Sequence, residues 1–430
     1  MQVLHPDETP SIVYANQRGE IKNFPGLHMA GRSGNFFSKP LLDDLIPLPE
    51  GSELFLLPNR LPIGISPKED GPVLLAHDPD ADRETIQAVA AFMAPAHTAI
   101  HSAAYEPAGN DLAPLPLFAY TAVGWHKGRF WVSAFRSDAD TRQDARVFDP
   151  EKITRKTVGQ LKRNSSNRLI QHLGKCCLTY GCPAARNYFL GRWEAPLPTS
   201  PVCNARCVGC ISSQPSGCCP ATQDRINFVP RVSEITAVAV PHLKKAPGAI
   251  VSFGQGCEGE PLLQAAVLDK AIRSIRSRTE RGTINLNSNA SLPGKIKLLA
   301  EAGLDSLRVS MNSARASCHA RYYRPVNFTF NDVLEAIHVM KKARKFVSLN
   351  YFILPGFTDD PDEFTALCRL IEAHRPDLIQ LRNLNMDPDW YLETVGYAPD
   401  APPMGMRNWL SELQRLFPLL RFGYFNPPIR

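Results

Sequence analysis

The chain has 430 residues, 44% of them hydrophobic and 21% charged, which is ordinary globular composition and excludes a fibrous or low-complexity protein. Its net charge of +6 permits an anionic substrate without demanding one. No run of about 18 apolar residues occurs, so no membrane span is expected, and Met1-Gln-Val-Leu-His-Pro lacks the charged and apolar regions of a secretory signal. Eleven cysteines in such a chain argue for metal or redox use in a reducing compartment, the cytoplasm, over disulfides.

Residues 1–150 read as a mostly β accessory domain. Ser52-Glu-Leu-Phe-Leu-Leu-Pro and Leu61-Pro-Ile-Gly-Ile are short apolar runs divided by proline and glycine. Residues 115–125 and 129–136 look like two strands flanking a hairpin turn at Gly124-Trp-His-Lys-Gly128. No catalytic motif lies here.

Residues 151–194 form a basic helical connector. Residues 151–168 carry six positive charges and one negative, which reads as a solvated helix face more than as a nucleic-acid contact, because no aromatic residues interleave. Cys176, Cys177 and Cys182 follow. They are either buried apolar residues or ligands of an auxiliary iron–sulfur cluster completed by Cys218, Cys219 or Cys257.

The segment 195–214 sets Cys203, Cys207 and Cys210 in a C-x3-C-x2-C spacing. Three thiolates on one loop can hold an iron–sulfur cluster, and a 4Fe–4S cube with only three protein ligands keeps one iron open for chemistry. A structural zinc site, with Cys218 or Cys219 closing it, is the alternative.

From there to residue 430, strand-length apolar runs alternate with helix-length amphipathic segments. Strands are expected at 197–202, 249–254, 283–287, 306–311, 347–354 and 378–384, and helices at 232–243, 262–278, 293–302, 331–344, 361–374 and 407–416. This pattern predicts an α/β fold, a partial (β/α)6 parallel barrel behind an N-terminal mostly β domain. Active sites of such sheets sit at the carboxyl ends of the strands, where the cysteine loop leaves the first one. The other strand ends supply Gly254–Pro261, in which Glu260 can accept from an ammonium group. They also supply Asn285–Asn289, whose amides suit hydroxyls, and Arg308–Ser313, where Arg308 and Ser310 share a face and suit a carboxylate. The sixth strand carries Gln380 and Arg382 where its neighbours are apolar. Together these groups ring one mouth.

At these residues the chain resembles the radical S-adenosylmethionine (radical SAM) superfamily. Cys203-x3-Cys207-x2-Cys210 is similar to its cluster motif, and Gly256-Cys-Glu-Gly-Glu-Pro261 to its GGE-type motif. Asn287–Asn289 and Arg308–Asn312 look like its ribose and carboxylate contacts. The resemblance covers roughly residues 195–390 and departs from the pattern at Gly209, where an aromatic residue is usual, and at Glu258, which replaces a glycine. It implies a 4Fe–4S cluster on the three cysteines. It also implies S-adenosylmethionine held by Glu258, Gly259, Glu260, Asn287, Asn289, Arg308, Ser310 and Asn312. Reductive cleavage to a 5′-deoxyadenosyl radical would follow, driven by a reductant such as flavodoxin or ferredoxin, with hydrogen abstraction from a small molecule, peptide or RNA. Substrate contacts are expected from Gln380, Arg382, Asn385 and Tyr322-Tyr-Arg-Pro325. Cys257 is expected to be a hydrogen donor, an auxiliary ligand or a buried structural cysteine. No cysteine follows Cys368, so the C-terminal cluster domain of many peptide-modifying relatives is not expected. The other readings are a zinc-stabilised nucleic-acid-binding protein and a non-catalytic iron–sulfur electron carrier.

Overall fold

The computed structural model describes residues 8–81, 84–109, 112–214, 217, 219–399 and 401–430. Its contacts divide the chain into two units. One comprises Met1–Ala139 with Phe352–Ala366 and Leu381–Pro418, and the other Asp140–Tyr351 with Leu367–Gln380 and Leu419–Arg430. Among the described residues no helix is long and apolar enough to cross a membrane.

The first unit is built on antiparallel strands. One sheet runs in the order His97–Ala99, Arg129–Arg136, Val123–His126, Ser11–Ala15, Ile21–Met29, Arg60–Ile65, Tyr105–Pro107. Alternate residues, among them Val13, Ala15, Val89, Ala91, Val132 and Ala134, bury a common core. The expected hairpin is present, with Val123 opposite Val132 and His126 opposite Arg129. Its turn is Lys127-Gly128, both at positive φ (45° and 82°), the backbone that matches the twist of a two-residue hairpin. The first hairpin strand is shorter than expected, because Pro114 and Pro116 interrupt the run before Val123.

The second unit opens with three helices, α1 (Pro150–Arg163), α2 (Arg168–Leu178) and α3 (Pro183–Leu190). Asp149 caps α1 by accepting from Lys152 N, and Asn167 caps α2 by accepting from Ile170 N. All six connector cations are exposed, while Ile153 and Thr157 turn inward.

A seven-stranded parallel sheet follows, in sequence order: Glu194–Pro196, Ile250–Phe253, Thr283–Ser288, Ser306–Met311, Phe346–Ile353, Leu378–Asn383 and Arg421–Gly423. Its crossover helices are α4 (Val232–Lys245), α5 (Ala265–Arg276), α6 (Pro293–Ala302), α7 (Ala316–Tyr323), α8 (Phe330–Lys342) and α9 (Pro361–His374). Expected boundaries agree with the structure at α6, α9 and the strand Ser306–Met311, and α8 begins one residue earlier and ends two residues earlier than expected. Helix α6 has Pro293 in its first turn and ends at Gly303, φ 114°. Helix α8 starts with a capping box between Thr329 and Asp332. Along the strands Val251, Ile284, Leu286, Leu307, Val309, Met311, Val347 and Leu349 are fully buried. The alternate positions carry Ser252, Asn285, Asn287, Arg308, Ser310 and Asn350, so one face of the sheet is polar.

Three expectations need correction. The first strand is Glu194–Pro196, not 197–202, because Pro198 and Pro201 cannot donate and the N–H groups of Thr199 and Ser200 go to a carboxylate instead of a neighbouring strand. A seventh strand, Arg421–Gly423, pairs in parallel with the sixth and is too short to show periodicity. Helices α10 (Pro388–Val395) and α11 (Met406–Leu416) follow the sixth strand, and only the second was expected.

At the amino end of the sheet, buried Asp305 accepts from Ile284 N at 2.8 Å and pairs with Arg276 and with Arg430 Nε at 2.8 Å. It ties the third and fourth strands to α5 and the C-terminal residues. Asp305→Ala strands a buried guanidinium and an N–H, and a loss of about 3 kcal/mol is expected in denaturant unfolding. A change under about 0.5 kcal/mol would show that the pair carries no stability.

Candidate functional site

Cys203, Cys207 and Cys210 lie half-buried on the loop that leaves the first strand. Backbone bonds pin that loop on both sides. Gly259 N donates to Ser200 O at 2.6 Å and Glu260 N to Val202 O at 2.8 Å. Opposite, Val326 N donates to Asn204 O, Arg206 N to Tyr323 O and Val208 N to Tyr322 O, at 2.8–3.0 Å. Tyr322 and Tyr323 are buried in the last turn of α7, so this run braces the cysteine loop through its carbonyls.

Arg225 Nη2 donates to Cys210 Sγ at 3.4 Å and Arg225 Nε to Ser212 Oγ at 3.2 Å. Sequence reasoning missed this arginine, since it sits in no motif. Burial pushes the Cys203 thiol up to about 11 and the Cys207 thiol well above its ordinary value. Buried neighbouring thiols ionise together only against positive charge, so the donor set fits a metal centre. Cys218 lies outside the described residues.

The loop after the second strand is locked to this one by a buried carboxylate. Glu258 accepts from the N–H groups of Thr199, Ser200, Gly254 and Gln255 at 2.7–2.9 Å and from Thr199 Oγ1 at 3.1 Å. Burial raises its pKa to about 7 against those donors. Glu260 accepts from Ser288 Oγ at 2.6 Å, Asn289 N at 2.9 Å and Leu262 N at 3.0 Å, and burial likewise raises it to about 7. Gly259 fits only without a side chain, for a Cβ would stand 2.0 Å from Val202 O. At Gly254, φ +77°, a Cβ would stand 1.7 Å from Asn287 O.

The later strand ends join one network. Asn287 Nδ2 donates to Gly254 O at 2.7 Å and its Oδ1 accepts from Asn285. Asn289 Nδ2 donates to Oδ1 of Asn204, the residue after the first cysteine, at 2.9 Å. Arg308 Nη1 donates to Gln380 Oε1 at 3.2 Å, and Gln380 Nε2 donates to Asn426 Oδ1 at 3.0 Å. Gln380 is fully buried, and Ser310 is half-buried two residues beyond Arg308. Asn312 is buried, its amide donating to Cys318 O at 3.2 Å. Arg382 belongs to the other unit, two residues beyond Gln380 on the same strand, and Asn385 is exposed there.

The remaining cysteines separate. Cys177 faces Thr157 Oγ1 at 3.5 Å. Cys176 and Cys257 come together with His172, a partner the sequence reading did not include. Hydrogen bonding with Cys257, then with His172, draws the Cys176 thiol down to about 5, and the same contact pushes Cys257 well up. Burial raises Cys182 to about 11.

Residues 197–368 match the family model described as the Radical SAM superfamily. Similar curated proteins include the GTP 3′,8-cyclase of Lactiplantibacillus plantarum, 28% identical over 37% of this chain and 45% of that protein. The GTP 3′,8-cyclase of Pelotomaculum thermopropionicum is 26% identical over 47% of this chain and 58% of its own length. The chain thus spans about half the length of these curated relatives. Among solved structures, methylornithine synthase aligns with a TM-score of 0.39 at 16% identity, over 56% of this chain and 68% of that one. It is through residues 197–368 that the chain is similar to the radical SAM superfamily.

Proposed function

We propose that the chain is a radical SAM enzyme that cleaves S-adenosylmethionine reductively and removes hydrogen from a substrate still to be identified. The observation that carries this reading is the loop of Cys203, Cys207 and Cys210, clamped through Gly259 and Glu258 to the next strand end at the carboxyl edge of a parallel sheet. In this reading the three thiols hold a 4Fe–4S cluster. When bound, the cluster and S-adenosylmethionine supply the electron and the 5′-deoxyadenosyl radical.

The side chains divide the remaining work. A carboxylate offers about four lone-pair sites. Glu258 accepts five bonds and is saturated, so it positions the two loops. Glu260 accepts three and keeps room for an ammonium group. Gly259 lets that loop approach the cysteines. Asn287 and Asn289, each oriented by the network, offer remaining lone pairs to ribose hydroxyls. Arg308 and Ser310 take the carboxylate, with Asn312 supporting the turn beyond. Both ends of the Gln380 amide are engaged, so it orients Arg308, while Arg382 is the candidate substrate contact. Arg225 stabilises negative charge at Cys210. An external one-electron donor such as flavodoxin or ferredoxin is required, which places the enzyme in a reducing, oxygen-poor setting such as the cytoplasm. The curated relatives are GTP cyclases by name, and coverage of half their length does not carry that substrate across.

Anaerobic reconstitution with iron, sulfide and dithionite is expected to give 5′-deoxyadenosine from S-adenosylmethionine. A Cys203/Cys207/Cys210→Ala variant should make none. A folded wild-type chain that binds iron yet makes no 5′-deoxyadenosine would overturn the reading. Glu260→Gln should slow the reaction about tenfold or more, the cost of one charge-assisted hydrogen bond, at unchanged iron content. Equal rates would remove Glu260 from cofactor binding.

The two buried glutamates also predict a pH dependence of stability. Their folded pKa of about 7 lies above the ordinary 4.5, so the folded state holds protons that the unfolded state releases. Their contribution is complete below about 4.5 and is lost as pH rises through about 7. The denaturant midpoint of the wild type should fall more between pH 6 and pH 8 than that of Glu258→Gln/Glu260→Gln. Parallel profiles would refute the assignment.

A further inference from the structure

Helix α2 places His172 and Cys176 four residues apart, on one face. The loop after the second strand brings Cys257 to the same point. The three ligand atoms all lie within 4.8 Å of one another, and His172 Nε2 is 3.6 Å from Cys176 Sγ. A tetrahedral zinc with bonds of about 2.3 Å to sulfur and about 2.0 Å to nitrogen has an S···N edge of about 3.5 Å. The Nε2···Sγ separation matches that edge. A 4Fe–4S cube instead puts each cysteine on its own iron and spreads the sulfurs apart. Cys176 and Cys257 are 2% and 5% exposed, so the thiols are shielded, while half-buried His172 leaves an entry path. Cys182 lies next to the pair in the backbone, its N–H donating to Cys176 O at 3.0 Å.

We propose that His172, Cys176 and Cys257 bind a single zinc ion, separate from the cluster loop. The ion fastens the connector helix to the loop Gly254–Pro261. Cys257 immediately precedes Glu258, so the ion holds the segment from which the carboxylate clamp and the cofactor contacts project. Three side chains from two elements hold the ion, and the fourth tetrahedral position is left to a water. This inference does not depend on radical chemistry.

The test is metal content of the full chain purified anaerobically from cells, by mass spectrometry, with zinc-edge X-ray absorption. The wild type should carry about one zinc per chain in a shell of sulfur with nitrogen at those bond lengths. The Cys203/Cys207/Cys210→Ala variant should lose its iron and keep the zinc. Cys257→Ser and His172→Gln should lose most of the zinc while still taking up iron on reconstitution. If these two variants fail to fold, cobalt substitution of the wild type is the second readout, with the intense visible bands of tetrahedral cobalt thiolate expected. The proposal is overturned by a zinc shell of oxygen and nitrogen alone, by unchanged zinc in Cys257→Ser, or by cobalt without tetrahedral bands. It is also overturned if about four irons survive in the triple variant, which would make this a second cluster. Loss of 5′-deoxyadenosine formation with zinc intact would sink the radical reading and leave this one standing.

Discussion

The site depends on one buried carboxylate. Glu258 gathers four backbone N–H groups and a hydroxyl from two consecutive strand ends, in a place that water does not reach. Those N–H groups belong to chain that has left the sheet ladder, and unpaired they would each cost on the order of 1–3 kcal/mol. Satisfying them with one side chain lets the first strand stop after Pro196 and release the cysteine loop early. The same contact fixes where the second loop runs, and Gly259 then allows its backbone to lie against Val202.

Other polar contacts extend this arrangement across the sheet. Ser252, Asn285 and Ser306 are hydrogen-bonded in a row across the second, third and fourth strands, and Arg308, Gln380, Asn426 and Glu194 form a second row. Buried polar side chains are tolerated because nearly each donor finds an acceptor. The result is a sheet whose apolar face is a packing surface and whose polar face has side chains already oriented. Preorganisation of this kind lets a protein steer a reactive cofactor without rearranging during the reaction. Asn204, beside Cys203 on the cysteine loop, is joined to this arrangement through Asn289 and Ser291.

The connector helices take part through thiols. Cys176 and Cys177 are adjacent in sequence yet face different surroundings, one toward His172 and Cys257 and the other toward Thr157. Helical geometry turns successive side chains by about 100°, so the two sulfurs point apart, and His172, one helical turn before Cys176, shares the face of Cys176.

The amino-acid sequence by itself determined the alternation of strands and helices, the ends of α6, and the spacing of Cys203, Cys207 and Cys210. These are local properties, written in periodicity, in capping residues and in one short motif. It also supplied Glu258, Glu260, Asn287, Asn289 and Arg308 as candidates, but not their division of labour. Only the tertiary structure decided that Glu258 is saturated and Glu260 is not, that Gln380 is bound to Arg308, that Arg225 reaches Cys210, and that His172 joins Cys176 and Cys257. Each of these pairs residues that are far apart in the chain or unmarked by a motif. Such contacts follow from how the strands register and how the loops close over them, which no window of sequence contains.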